Sequence, residues 1–139
     1  TPHFRTLGNL AHEIWDVTDR EKPSRVTTVL DGLRSTHKNW WECDSGIAYL
    51  VSDGAPGGWR TNRMTKIYDL GDPARPRFIR DFGLPDQAPD STGTATPGVH
   101  GPISLGNRVY FPYRTGAVIC SVRSRSVMST TVSIGAVSS

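Results

Sequence analysis

The chain has little of what most small enzymes and stapled domains rely on. Only two of its 139 residues are cysteines, Cys43 and Cys120, and they stand far apart with neither a C-x-x-C nor a Cys/His spacing. That excludes an obvious zinc site or disulfide framework, and both thiols read as free and partly buried. No G-x-S-x-G, P-loop, G-x-G-x-x-G or H-E-x-x-H occurs, so the standard nucleophile, phosphate-cradling and zincin chemistries have no foothold. No apolar run approaches the roughly 18 residues of a membrane-spanning helix, and no charged segment followed by an apolar stretch marks a secretion signal. Acidic residues stop at Asp90, after which the sequence carries four Arg and no Lys. Residues 1–90 hold a net charge of −1 and residues 91–139 one of +4, so the pI near 9.1 belongs to the tail rather than to a basic groove. Without a basic groove, nucleic acid is not an expected partner.

What is present points to many short strands. The composition, 36% hydrophobic and 21% charged, supports a packed core, and 14 Gly with 10 Pro imply frequent turns. Self-comparison finds a repeat at an offset of 53: WDVTDREKPSRVTTV (Trp15 to Val29) lies over YDLGDPARPRFIRDF (Tyr68 to Phe82). Asp16 matches Asp69, Asp19 matches Asp72 and Pro23 matches Pro76, while Ile14/Ile67, Val26/Ile79 and Val29/Phe82 are apolar pairs. Each copy reads as strand, turn, strand, because Asp side chains accept backbone N–H bonds and Pro presets φ ahead of the next strand.

A second unit follows each copy. THKNWWECDSGIAYLVSD (Thr36 to Asp53) is similar to VHGPISLGNRVYFPYR (Val99 to Arg114): a His, a short strand, a Gly-containing turn, then an apolar strand with a Tyr. The predicted order is one complete four-stranded antiparallel meander, with strands near residues 37–41, 47–52, 65–70 and 77–82. Two strands precede it, near 12–17 and 24–30. Two or three follow, near 100–105, 108–113 and 117–122. This is the strand count of a propeller blade. The expected fold class is all-β, with antiparallel four-stranded β-propeller blades, one whole and its neighbours partial. Residues 10–122 form the propeller segment and residues 123–139 a Ser-rich C-terminal tail. Two long loops, 54–63 and 83–98, are expected to carry function or mobility.

The copies WDVTDREKP and YDLGDPARP resemble the LVIVD repeat, roughly apolar-x-Ile-Val-Asp-Val-Ser-Asp-Pro-x-x-Pro, and the resemblance covers about residues 10–113. Arg20 departs from that pattern where Pro73 keeps it, and after Tyr113 the expected next Ile-Val-Asp strand is replaced by an acid-free stretch. The resemblance implies an exported, periplasmic or cell-surface β-propeller acting as a non-catalytic scaffold or protein-interaction module. Its partners would be an unidentified protein or ligand, the remaining blades, or other copies of the chain. A more remote similarity to selenium-binding-protein and methanethiol oxidase propellers, whose channel histidines bind copper, implies the alternative of a metal-dependent oxidase. The third alternative is a fragment with no independent function.

His37 and His100 hold equivalent places at the start of successive innermost strands, where imidazoles from neighbouring blades converge on a channel mouth. They are the candidate ligands for copper or another transition metal, or else they lock the blades together by hydrogen bonds. Otherwise no cofactor is expected. Trp59, flanked by Arg60 and Arg63, is the candidate loop-tip contact for a protein, glycan or anion, or else it folds back over an inter-blade groove. Trp40 and Trp41 must face opposite sides of their strand, one packing between blades. His3 and His12 are expected at the surface or an edge. Glu42 and Asp44 could act as an acid/base pair only within a cleft. The recurring Asp16, Asp19, Asp69 and Asp72 are turn formers with too little ligand density for calcium.

Overall fold

The computed structural model describes residues 10–54 and 58–113, together with two further strands, 116–121 and 132–135, as backbone. His3 and most of the tail lie outside the described residues. Those that are described are all-β and antiparallel, with one short 3-10 turn at Pro85–Gln87. The strands are β1 (Leu10–Asp16), β2 (Ser24–Leu33), β3 (Trp40–Glu42), β4 (Ile47–Ser52), β5 (Met64–Asp69), β6 (Arg77–Phe82), β7 (Ile103–Leu105), β8 (Arg108–Tyr113), β9 (Gly116–Ser121) and β10 (Val132–Gly135). They form a two-stranded sheet β1-β2 and two four-stranded meanders, β3-β4-β5-β6 and β7-β8-β9-β10. The central meander has the strand order and pairing expected from the sequence. The third sheet is fuller than expected, because Val132–Gly135, within the Ser-rich tail, pairs with β9.

Positions 53 apart make the same local structure. The Asp16 carboxylate accepts from Thr18 N at 2.8 Å, and the Asp69 carboxylate from Gly71 N at 2.9 Å. Asp19 accepts from Glu21 N at 3.0 Å, and Asp72 from Ala74 N at 3.1 Å. The turns then close with Lys22 N to Asp19 O at 3.1 Å and Arg75 N to Asp72 O at 3.0 Å. A register irregularity falls between Ile14 and Trp15 in one hairpin and between Ile67 and Tyr68 in the other. A carboxylate that satisfies the first N–H of a turn stands in for a ladder partner, which is why Asp recurs there and why the chain reverses at these points.

The core lies between sheets rather than within one. Successive residues of a strand face opposite sides, so the run IAYLVS of β4 buries both. Ala48 and Leu50 pack with Ile14, Val29 and Leu30 of the first sheet, while Tyr49 and Val51 pack with Val109, Phe111 and Tyr113 of the third. Ile14 and Val29 do for the first interface what Ile67 and Phe82 do for the second. Phe82 stacks on Phe111 with ring centroids 4.2 Å apart. A strand covered on both faces has to be a continuous apolar run, and β4 is one.

Candidate functional site

The two histidines singled out by the sequence meet. His37 precedes β3 and His100 precedes β7, so each is delivered by the lead-in to the first strand of its own sheet. Both strands start three residues later than expected. Asn39 explains the delay for β3: its side-chain oxygen takes the Val51 N–H at 2.8 Å, replacing a backbone ladder bond. His37 Nε2 lies 3.2 Å from His100 Nδ1, with ring centroids 4.7 Å apart and planes at 85°. At that distance one ring donates and the other, neutral, accepts.

The surroundings of this pair are cationic. Partial burial first, and then the nearby charges of Arg63, His100 and Lys38, hold the His37 imidazole below its ordinary 6.5. Gly98 lies against the Cβ of Arg63 and Gly101 against the Cβ of Lys38, where an added Cβ would come within 2.7 Å and 2.6 Å. Val99 N donates to Arg63 O at 3.2 Å and His100 N to Pro112 O at 2.9 Å. The segment 98–101 is thus threaded between Lys38 and Arg63, which places His100 on His37. Lys38 and Asn39 were not singled out by sequence reasoning. The available signal was their position beside a repeated His.

Two nitrogens bound to one tetrahedral ion at about 2.0–2.1 Å would stand about 3.4 Å apart, so the spacing of the His pair meets that requirement. Among the described residues, however, no group of three His, Cys, Asp or Glu could hold a metal. Arg63 and Lys38 further oppose an added cation. Asp53, the acidic side chain closest in sequence at this end of β4, accepts from Arg34 N at 2.6 Å.

His12, expected at the surface or an edge, stands on the edge strand β1 but with its ring turned inward. It is 8% exposed, with Nε2 2.9 Å from Val51 O and Nδ1 3.2 Å from the Asn39 amide. Burial lowers its pKa, opposed by the bond to Val51 O, so the neutral ring is the favoured form. The alternation of β1 explains the position: His12 shares the inward face with Ile14.

Trp59 and its flanking arginines separate in role. The Trp59 ring is half-buried and lies on glycine backbone, with a Cβ on Gly83 reaching within 2.5 Å of Cζ3 and one on Gly54 within 2.7 Å of the Trp59 Cβ. Arg60 is committed to the loop 83–98: its guanidinium donates to Ser91 O at 2.6 Å, to Gly93 O and to Asp86 O at 3.4 Å. Asp86 in turn accepts from Thr96 N at 2.6 Å, and the buried Gln87 amide donates to Thr96 O and Pro97 O. The loop is therefore tied down at both ends. Of the two arginines, Arg63 alone has no side-chain hydrogen bond or ion pair among the described residues, and its charge acts on His37.

Glu42 and Asp44 both line one cleft, as an acid/base pair would require, but Glu42 is engaged elsewhere. The Glu42 carboxylate accepts from Ser45 Oγ at 2.7 Å and Tyr49 OH at 3.3 Å, which braces the β3–β4 turn, while Asp44 is exposed. Cys43 is a free thiol, exposed rather than partly buried, and the side chain of Cys120 lies outside the described residues. A cleft of about 1110 Å³ opens at this end between the hairpins, lined by Trp41, Phe78, Arg77 and Arg108 among others. Trp40 faces the third sheet, its Nε1 donating to Ser104 Oγ at 2.7 Å.

No protein family, curated protein or solved structure matches this chain. Geometry alone therefore speaks to the site. No helix among the described residues is long and apolar enough to cross a membrane.

Proposed function

We propose that the chain is a segment of a β-propeller of LVIVD-repeat type, each sheet a blade, working as a non-catalytic scaffold for protein interaction. The observation that carries this reading is the equivalence at a spacing of 53, in which Ile14 and Val29 of one sheet and Ile67 and Phe82 of the next each pack onto the following sheet. Stacking of like units on their nearest neighbours is how repeat architectures bury a core that no unit could bury alone. The lead strands β3 and β7 lie side by side, as inner strands around an axis would.

The face that continues the stack is open on the third sheet. Ile103 pairs with Tyr110 and Leu105 with Arg108, on the side of β7 and β8 opposite Val109 and Phe111. Ile103 is 51% and Leu105 73% exposed. In the central sheet the corresponding side, Trp40 paired with Tyr49, is the one turned to its neighbour. The partner that fits Ile103, Tyr110 and Leu105 is another sheet of the same kind, from further blades or a second copy. Sedimentation over a range of concentrations tests this. The chain is expected to self-associate, and Ile103→Glu to abolish association with a melting temperature equal to that of the wild type at dilutions where the wild type is monomeric. A wild-type chain that stays monomeric with this face uncovered would sink the reading.

A further inference from the structure

The geometry points to a small-oxyanion site at His37 and His100, completed by Arg63 and Lys38, that binds a phosphate or carboxylate group and takes up protons as it does so. Three observations carry it. First, among the described residues four nitrogen-bearing side chains come together with no carboxylate acting on His37: His37 and Lys38 ahead of β3, Arg63 from the lead-in to β5, and His100 ahead of β7. The charges that act on His37 are those of Arg63, His100 and Lys38 alone. Second, Arg63 is unspent. Its Nε is buried without a hydrogen-bond partner, and neither Arg63 nor Lys38 enters an ion pair among the described residues. A buried N–H donor left unmatched is costly unless an acceptor arrives. Third, the His37–His100 bond of 3.2 Å exists only while one ring is neutral. With both rings protonated, two N–H donors face each other, and an oxygen that accepts from both restores the contact.

An oxyanion supplies all that these groups lack: acceptor oxygens for the imidazolium N–H groups and for Arg63, and negative charge against up to four cations. Charge-assisted bonds of this kind are about twice as strong as neutral ones, and a planar guanidinium suits two oxygens of one group. Because the anion favours the protonated His37 ring, whose pKa lies below the ordinary 6.5, its affinity rises as pH falls below that value.

Inorganic phosphate, and acetate in a parallel arm, can be titrated into the 139-residue chain while the ring C–H resonances of His37 and His100 are followed by NMR at one pH below and one above 6.5. Both rings are expected to shift together and saturate with phosphate, about tenfold more tightly at the lower pH. Saturation with acetate as well extends the site to carboxylates; phosphate alone restricts it to phosphate groups. Arg63→Gln is expected to weaken binding about tenfold and Arg63→Lys much less, in line with loss of one charge-assisted contact. A melting curve checks each fold. If Arg63→Gln does not fold, Lys38→Gln replaces it, with a severalfold loss expected. The proposal is overturned if neither ring shifts saturably with either anion at the lower pH, or if the folded charge-removing variant binds as tightly as the wild type.

Discussion

Replacing Gly83 by Ala isolates the packing role of Trp59. Gly83 has no positive φ, so its backbone suits Ala, and the whole cost must come from the new methyl. That methyl would lie 2.5 Å from Trp59 Cζ3 and 2.9 Å from Cε3, well inside van der Waals contact. The ring cannot stay where it is. Overpacking of this kind costs about 1–3 kcal/mol. Trp59→Ala alone forfeits the buried half of the side chain, about 100 Å² at ~25 cal/mol per Å², or ~2.5 kcal/mol. In the double variant only the contact with Gln87 Oε1 at 3.2 Å remains, so Gly83→Ala should cost little further, and the coupling energy should recover most of the single-site cost of about 1–3 kcal/mol. Urea unfolding at constant m-value reads all four corners of this cycle. Additive effects, or a Trp59→Ala chain as stable as the wild type, would refute the packing assignment and return Trp59 to the role of an exposed binding residue.

Three further outcomes follow from the same geometry. Gly46, at φ 76° with an added Cβ 2.9 Å from Gly71 backbone, should lose more stability on substitution by Ala than Gly106, at φ 58° with nothing within 4 Å. Strain alone acts at Gly106, about 1 kcal/mol, and a backbone clash adds to it at Gly46; thermal melts compare the two. His12 has its pKa lowered by burial, so the unfolded chain takes up the proton first; stability is full above the unfolded value of 6.5 and falls as pH drops below it. The slope from this one group is at most about 1.4 kcal/mol per pH unit, and His12→Gln should flatten it in urea titrations across that range. Arg60→Ala should leave the sheets intact yet expose 88–96 to protease, because three carbonyls of that loop lose their donor. Unchanged cleavage would show that the loop is held by Asp86 and Gln87 alone.

The strands were legible in the sequence because their signals are local. Asp-x-x-Asp-x-x-x-Pro names its own turn, and the continuous apolar run IAYLVS marks a strand buried on both faces. The meeting of His37 and His100 was legible for a different reason: equal places in equal units are brought together when the units stack. What was not legible depended on side chains substituting for backbone. Asn39 taking the Val51 N–H delays β3 and gives the buried His12 a hydrogen-bond partner, and nothing in the local pattern marks an Asn for that task. Arg60 and Arg63 read as twins beside Trp59. Only the path of the loop 83–98 makes one a structural tether and leaves the other unspent. The strand β10 was missed because an acid-free, Ser-rich stretch lacks the turn chemistry by which the other strands were found.

Strand β4 is covered from both sides, by the first sheet through Ala48 and Leu50 and by the third through Tyr49 and Val51. Each outer sheet touches the middle one on a single side, so either can detach without the other. Hydrogen-exchange protection should therefore rank by position in the stack: amides of β4 and β5 exchange only through global opening, while β1, β2, β7 and β8 exchange through two independent partial openings. Denaturant should separate the two groups, with low-slope exchange outside and high-slope exchange at the centre. The middle sheet would then act as the kinetic clasp of the chain, the last element to release its protons whichever flank lets go first.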